Sequence, residues 1–236
     1  GLKSVSLSAN WMWPSKNEGE DARLYKAVEA CSNFASDLGI NIPTGKDSLS
    51  MTQQYGEDKV FSPGTVIISA AGEVSNVRKI VSPTLAYIKG TYLYYVDFSF
   101  DTLKLGGSAF AQTLGKIGDE APTVNDAEYF KNAFAAIQEL VNRGLIIAGH
   151  DVSAGGLVTT LLEMCFANPA GGIEARLNKI RYSDIIKILF SENPGVVIQV
   201  KHHHLVEKIL NDYGLGFAII GRPIEDRKLI ISKDDF

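Results

Sequence analysis

Hydrophobic residues recur with two spacings along the chain: every second residue in some segments, and every third or fourth residue in others. The first spacing predicts strands and the second predicts helices. Because the two kinds of segment alternate, the sequence predicts an α/β or α+β fold. Strands are predicted at residues 5–8, 40–43, 65–74, 92–98, 145–148, 196–200, 217–221 and 229–231. Helices are predicted at residues 21–38, 126–143, 157–167, 184–190 and 202–213, with a short one after Gly106-Gly107-Ser108 that includes Phe110, Leu114 and Ile117.

Residues that favour helix ends flank several of these segments. Gly39 and Gly144 follow the two long helices, as glycines that end helices do. Asp126 and Ser183 carry side-chain oxygens that accept hydrogen bonds from a first helical turn, so each is predicted to cap the helix after it. Asn168-Pro169 is predicted to end the helix that starts near residue 157, because proline cannot continue a helix.

The pattern of residues changes near Ser82-Pro83, and we expect a domain boundary there. This divides the chain into residues 1–84 and residues 85–236, each long enough to form a core. The chain begins Gly1-Leu2-Lys3 and enters a strand-like segment at once, so we expect it to be a piece of a longer polypeptide.

Composition narrows the range of functions. The 236 residues include 23 basic and 27 acidic side chains, a net charge of −4 that gives no sign of binding to nucleic acid or to an anionic membrane. No apolar run approaches the roughly 18 residues of a membrane span. Cys31 and Cys165 lie on apolar helix faces and are interpreted as buried thiols, which fits a reducing cytoplasm.

The segment from His150 to Leu157 carries the strongest chemical signal. A strand-like run enters it and a helix-like run leaves it, with Asp151, Ser153, Gly155 and Gly156 between them. Free backbone N–H groups at such a strand-to-helix turn attract phosphate, and a nearby carboxylate can hold the Mg²⁺ of a nucleotide. The alternative is an ordinary helix start, with Ser153 as N-cap and two glycines for close packing.

Two other polar segments have weaker signals. Thr44-Gly45-Lys46-Asp47-Ser48 is predicted to be a turn, which either cradles a phosphate or simply lies at the surface. Ser191-Glu192-Asn193-Pro194-Gly195 places a carboxylate in a tight turn, either as ordinary turn chemistry or as a contact to substrate or metal.

The histidine and aromatic clusters of the chain indicate structural roles and not site chemistry. The triplet His202-His203-His204 is predicted to be a solvated helix start, because neighbouring helical residues point about 100° apart and cannot share one metal ion. Trp11 and Trp13 are expected to mark packing or, more specifically, an exposed interface.

Five segments of the chain carry a resemblance: Leu7–Met12, Gly19–Ala22, Ile42–Met51, Leu105–Ser108 and His150–Leu157. Together they resemble the phosphoribosylformylglycinamidine synthases, also called formylglycinamide ribonucleotide amidotransferases, in their long single-chain form. The resemblance implies a fragment of an ATP-dependent amidoligase of purine biosynthesis, inactive by itself, whose partners are the first synthetase repeat and the glutaminase domain of its own polypeptide. It implies the end of a second N-type synthetase domain at 1–84 and a C-type domain with a mixed sheet at 85–236.

The resemblance also implies roles for three residues. Asp151 would be a Mg²⁺ ligand and Ser153 would contact a phosphate of ATP or ADP, in a nucleotide site regarded as auxiliary and structural. Ser48 would contact the substrate phosphate, whereas Lys46 stands where short-form relatives have a metal-binding Asn. No residue is assigned a catalytic role.

Two alternatives stay open at this point. One is a related ATP-using enzyme: an aminoimidazole ribonucleotide synthetase, a selenophosphate synthetase or a thiamin-phosphate kinase. Those enzymes have an acidic nucleotide-binding segment near their N-terminus, which this sequence lacks. The other is a non-catalytic module in which a bound nucleotide only supports the fold.

Overall fold

The computed structural model of the protein describes residues 1–168 and 170–234. The chain forms two compact units, Gly1–Ser75 and Asn76–Phe236. Residues 76–84 group with the second unit by their contacts, whereas the sequence places them at the end of the first domain; the boundary after residue 84 stays a prediction. Among the described residues, none of the helices is long and apolar enough to cross a membrane.

The first unit is a three-stranded sheet with one long helix and a hairpin. The sheet order is β2-β1-β5, with β2 parallel and β5 antiparallel to β1, and β3 pairs only with β4 among the described residues. The hairpin was not predicted from the sequence. In chain order the elements are β1 (Val5–Met12), α1 (Glu20–Leu38), β2 (Asn41–Ser48), β3 (Thr52–Tyr55), β4 (Asp58–Phe61) and β5 (Thr65–Gly72).

Helix α1 ends as the sequence predicts. Gly39 adopts a left-handed conformation with φ of 71°, which glycine reaches without steric cost. Its backbone N–H donates to carbonyl oxygens of the last helical turn. The apolar face of α1, with Leu24, Ala27 and Cys31, packs against the sheet.

Trp11 and Trp13 form the core of the first unit. Their side chains are only 8% and 6% exposed, and their ring centroids lie 6.4 Å apart. Alternation along β1 places Ala9 and Trp11 on the face that α1 covers, with Trp13 just beyond the strand. The expectation that these tryptophans form an exposed interface is therefore wrong, and the packing interpretation is correct.

The second unit is built on a six-stranded mixed sheet. Its strand order is β11-β8-β10-β6-β9-β7, in which β11 and β8 are parallel and the other neighbours are antiparallel. The elements are β6 (Tyr92–Asp97), α2 (Ala109–Thr113), α3 (Ala127–Asn142), β7 (Ile146–Val152), α4 (Gly156–Phe166), β8 (Gly172–Arg176), α5 (Ile185–Phe190), β9 (Gly195–Val200), α6 (His203–Asp212), β10 (Phe217–Ile224) and β11 (Leu229–Ser232).

Helices cover both faces of this sheet. Alternation along β6 sends Leu93 into one core and Tyr94 into the other, and both side chains are fully buried. The core around Leu93 includes residues of α4 and α5, and the core around Tyr94 includes residues of α3 and α6. The predicted class, a mixed sheet with flanking helices, is confirmed for this unit.

Most predicted helix ends agree with the structure. Asp126 caps α3, because its Oδ1 accepts hydrogen bonds from the backbone N–H groups of Glu128 and Tyr129. The cap of α5 is Asp184, so the prediction for Ser183 is wrong by one residue. Helix α4 ends at Phe166, and Pro169, which was predicted to end it, lies outside the described residues.

Candidate functional site

The turn between β7 and α4 presents two polar side chains to solvent. Strand β7 extends to Val152, four residues beyond its predicted end, because Asp151 and Val152 still pair with Val196 and Gly195 of β9. Val152 is buried, and the Asp151 side chain on the opposite face is 70% exposed. Ser153 follows as an exposed residue before α4 begins at Gly156.

Side chains of β7 and α4 hold the backbone of Asp151. The buried hydroxyl of Thr160 donates to the Asp151 carbonyl oxygen at 3.0 Å, and His150 Nδ1 lies 2.8 Å from the same oxygen. The imidazole also lies between two carboxylates, with Nδ1 3.3 Å from Asp151 Oδ1 and Nε2 3.1 Å from Glu163 Oε2. These contacts define the direction in which the Asp151 carboxylate leaves the strand.

Gly155 and Gly156 allow the sharp entry into α4. Their φ angles of 88° and 73° are in the left-handed region, where side chains with a Cβ atom are strained. A Cβ atom on Gly156 would lie 2.7 Å from the Leu189 carbonyl oxygen, so this glycine also permits close packing. The N-cap of α4 is Gly155 without a side-chain cap, so the alternative that made Ser153 the cap is wrong.

Glu192 connects this turn with the start of α2. Its Oε1 accepts hydrogen bonds from the backbone N–H groups of Gly155 and Ala109, each at 2.8 Å. The short helix predicted after Gly106-Gly107-Ser108 is present as α2, with Ser108 as its cap, although it ends at Thr113, before Leu114 and Ile117. Three segments that the sequence marked separately therefore meet at one carboxylate oxygen, and no local pattern shows this.

A buried network anchors the residues on either side of Glu192. Ser191 and Asn193 hydrogen-bond to each other, and both accept from the backbone N–H of Lys104. The Asn193 amide also donates to the Thr102 carbonyl oxygen at 3.1 Å. The segment 191–193 is thus fixed to the loop that precedes α2.

Ser48 lies in the first unit, at the end of a strand. The predicted turn at Thr44–Ser48 is wrong, because these residues belong to β2 and pair in parallel with β1. Gly45 faces Ala9 so closely that a Cβ atom would lie 2.0 Å from the Ala9 carbonyl oxygen. A glycine is therefore needed at position 45 because two strands approach each other closely there, and not because the chain turns.

Lys46 and Ser48 lie on the same face of β2, since they are two residues apart. The Lys46 ammonium donates a hydrogen bond to the Ser48 hydroxyl, and the lysine is exposed. A cation beside a hydroxyl is a suitable pair for a phosphate group.

The donors around Asp151 fit one kind of metal site. Within residues 1–168 and 170–234, no group of three or more His, Cys, Asp or Glu side chains could hold a metal ion by itself. Asp151 offers a single exposed carboxylate, and Mg²⁺ is commonly bound by one or two carboxylates together with substrate phosphates and water. The residues therefore fit Mg²⁺ that arrives with a nucleotide.

The histidine triplet and the two cysteines take part in packing and are not assigned to a binding site. His202 precedes α6 and His203 packs edge-on against Tyr92, with ring centroids 5.2 Å apart, so the predicted helix start is confirmed. Cys31 and Cys165 are free thiols that are only partly buried, and burial raises the pKa of the Cys165 thiol.

Two family models match the chain. Residues 1–73 match the FGAR-AT PurM_N-like domain, and residues 89–234 match the AIR synthase related protein, C-terminal domain. The second match alone covers more than half of the chain.

Curated relatives match nearly the whole chain. A protein of Caenorhabditis elegans named probable phosphoribosylformylglycinamidine synthase is 37% identical over 235 residues, covering 94% of this chain. An Arabidopsis thaliana protein of the same name, described as chloroplastic/mitochondrial, is 39% identical over 239 residues and covers 99%. The match includes only 18% and 17% of these relatives, respectively.

Solved structures share the fold at low identity. The structure of T. maritima PurL complexed with ATP aligns with 100% of this chain and 36% of its own, with a TM-score of 0.71 and 15% identity. T. maritima PurL complexed with FGAR gives the same TM-score at 17% identity, covering 98% of this chain and 38% of its own. E. coli HypE, a hydrogenase maturation protein, aligns with a TM-score of 0.63 at 20% identity, covering 96% and 69%. With both of its modules matched in order, the chain belongs to the AIR synthase related family, as an FGAR-AT-like synthetase module homologous to a portion of the long phosphoribosylformylglycinamidine synthases.

Proposed function

We propose that this chain is part of an ATP-dependent carbon–nitrogen ligase. The enzyme converts formylglycinamide ribonucleotide, glutamine, ATP and water into formylglycinamidine ribonucleotide, glutamate, ADP and phosphate during purine biosynthesis in the cytoplasm. The observation that carries the proposal is the 37% and 39% identity to two relatives named for this activity, which extends over nearly the whole chain. Identity at this level across both modules favours it over the function of E. coli HypE, a hydrogenase maturation protein that shares the fold at 20% identity.

The β7–α4 turn is the proposed nucleotide site. Asp151 provides an exposed carboxylate oxygen for the Mg²⁺ that accompanies ATP or ADP, and Ser153 donates its hydroxyl to a phosphate oxygen. The positive end of α4 adds a favourable field for the phosphates. Bound Mg²⁺ supplies neutralisation of phosphate charge.

Ser48 is the proposed contact to the substrate phosphate. Lys46, which hydrogen-bonds to the Ser48 hydroxyl, places a positive charge at the same position. The pair therefore recognises a dianionic group by charge and by hydrogen bonding. Lysine carries no lone pair when charged, so Lys46 cannot be a metal ligand there.

The chain is proposed to function together with the rest of its polypeptide. Its two modules would be the C-terminal part of the second N-type domain and the second C-type domain, with the first repeat and a glutaminase elsewhere in the enzyme. The isolated chain should form no product from ammonia, substrate and ATP, because it lacks those parts.

The role of the nucleotide at Asp151 can be catalytic or structural, and one comparison separates the two. The variant Asp151→Ala in the full-length enzyme removes an oxygen ligand and should release Mg²⁺–nucleotide from this site. If the nucleotide is structural, the thermal midpoint should fall more than turnover per folded molecule; if it is catalytic, turnover should fall steeply at an unchanged midpoint. Both are measured at saturating Mg²⁺–ATP, so that stabilisation by bound ligand is held constant.

Two further variants calibrate this experiment. Ser153→Ala should weaken nucleotide retention by only about 1 kcal/mol, since one hydrogen bond is lost. Asp226→Ala is the matched control, because its side chain is 72% exposed and it lies outside the turn. An Asp151→Ala enzyme that still carries one nucleotide per site with both properties unchanged would remove Asp151 as a metal ligand.

A further inference from the structure

We infer that Glu192 is a positioning residue for the proposed nucleotide site: its carboxylate ties the β7–α4 turn to the start of α2. The two N–H groups that it accepts from belong to residues 37 and 83 positions away in sequence. Both bonds are 2.8 Å long and both involve an ionised acceptor, which makes them stronger than ordinary backbone hydrogen bonds. The expected effect of Glu192 on nucleotide affinity rests on the proposed function.

Apolar contacts near Glu192 join the same segments that its carboxylate joins. Phe190 stacks on Phe110 of α2 with ring centroids 4.6 Å apart. The backbone of Leu189 and Phe190 lies against Gly156, where no Cβ atom fits. The end of α5 therefore contacts the same two segments that the Glu192 carboxylate joins.

Glu192 itself has little freedom to move. Its neighbours Ser191 and Asn193 are buried, and both accept from the backbone N–H of Lys104 at 3.2 Å. The Ser191 hydroxyl oxygen also lies 2.9 Å from the Lys104 carbonyl oxygen. Because hydrogen bonds fix the residues before and after Glu192, its carboxylate has a defined position. It can therefore determine the position of the turn that donates to it.

This arrangement determines where a phosphate can bind. The N–H of Gly155 points to a carboxylate and is not free for a ligand. A phosphate at this turn would therefore contact the Ser153 hydroxyl and not the Gly155 N–H.

The test compares Glu192→Ala and Glu192→Gln with a matched control in the 236-residue chain. The control is Asp126→Ala, which also removes one carboxylate that accepts from two backbone N–H groups, at the start of α3. The first readout is the amide proton resonance and hydrogen-exchange rate of Ala109 and Gly155. The second is the dissociation constant of Mg²⁺–ADP.

Glu192→Ala should move the Ala109 and Gly155 amide resonances upfield, speed their exchange, and weaken Mg²⁺–ADP binding about 10-fold or more, the usual effect of removing an outer partner of a ligand site. Glu192→Gln retains an acceptor oxygen and should recover part of each change. Asp126→Ala should change the Glu128 and Tyr129 amides instead and leave Mg²⁺–ADP affinity unaltered.

Two results would overturn the inference. One is a Glu192→Ala chain whose Ala109 and Gly155 amides keep their resonances and exchange rates. The other is a loss of Mg²⁺–ADP affinity in Asp126→Ala as large as that in Glu192→Ala, which would mean that general loosening is the cause. If the unsubstituted chain binds no Mg²⁺–ADP, the nucleotide proposal fails for the isolated chain, and the amide readout alone decides whether Glu192 positions the turn.

Discussion

The central strand of the second unit and the edge strand of the first differ in how their two faces are covered. Successive residues of a strand point to opposite faces. In β6, Leu93 and Tyr94 are both fully buried, so cores lie on both sides. In β5, three consecutive residues, Val66, Ile67 and Ile68, are between 38% and 52% exposed, so neither face is fully covered by the described residues of that unit.

This difference indicates which of the two units is stabilised more by its own buried apolar surface. Burial of apolar surface stabilises a fold by about 25 cal/mol per Å². The second unit buries apolar side chains on both faces of its six-stranded sheet, whereas the first unit buries them mainly around Trp11 and Trp13. We therefore expect the proposed ligand site at the β7–α4 turn to rest on the more stable unit, and the strand with Ser48 on the less stable one.

The largest expected effect is in native-state hydrogen exchange. Amides of β6 and β9 should exchange only through global unfolding of the second unit, because both strands lie inside the sheet. Amides of β5 that pair with β1 should exchange at least ~100-fold faster, since local opening exposes little additional apolar surface. Exchange measured by NMR on the 236-residue chain tests this, and equal protection in β5 and β6 would contradict the comparison.

Matched truncations in the two units sharpen the same comparison. Leu161→Ala removes a fully buried side chain of α4 and should lower the free energy of unfolding by about 2–5 kcal/mol. Ile67→Ala removes a side chain that is 52% exposed and should cost less than about 1 kcal/mol. Urea unfolding curves give both values. A cost at Ile67 as large as at Leu161 would mean that β5 is covered in solution.

The sequence predicts elements with strong local periodicity well, and these are the elements that build the cores. Helices α1 and α3 and strand β6 were found because their apolar residues repeat over a full element, with Gly39 and Asp126 at the ends. Helix α4 was also predicted, but its N-cap was not: the sequence offered Ser153 as one alternative, because it cannot show that Gly155 is left-handed. A local pattern therefore predicts an element better than it predicts its first residue.

Contacts between distant residues explain what the sequence did not predict. Thr44–Ser48 contains turn-forming residues, yet its pairing with β1 makes it a strand. The joint contact of Glu192 with Ala109 and Gly155 spans 83 and 37 residues and has no periodic signal. Candidate residues such as Asp151 could be named from the strand-to-helix pattern, but the contacts that orient them could not.

Two glycines with similar backbone angles should respond differently to substitution. Gly156→Ala combines a left-handed φ of 73° with a clash at 2.7 Å, and should cost about 2–4 kcal/mol. Gly39→Ala, in the first unit, has a φ of 71° but open space around it, and should cost about 1 kcal/mol. Thermal or urea unfolding of the two variants measures the difference. Equal costs would show that α5 moves away from the turn without penalty.

The smallest expected effect is a dependence of the stability of the second unit on pH. Burial by itself raises the pKa of Asp101, but hydrogen bonds from Lys104, from the Thr102 N–H and from Asn125 outweigh it and lower the pKa below its usual range. A carboxyl group whose pKa is lower in the folded state stabilises the fold above its unfolded pKa, and this contribution is lost as the pH falls through the folded value. Acid should therefore remove a contribution to stability that comes from the loop before α2.

The variant Asp101→Asn isolates this contribution. Its stability deficit relative to the parent chain should be present near pH ~6 and should shrink as the pH falls below the usual aspartate range of ~4. Lys104→Gln should remove part of the same pH dependence, because the Lys104 ammonium lies 2.7 Å from Asp101 Oδ2, whereas the hydrogen bonds from Thr102 and Asn125 remain. Urea unfolding of the three chains at both pH values provides the measurement. A deficit that stays constant with pH would mean that Asp101 acts by its shape and hydrogen bonds and not by its charge, and the second unit would then have no acid-sensitive link between this loop and the network around Asn193.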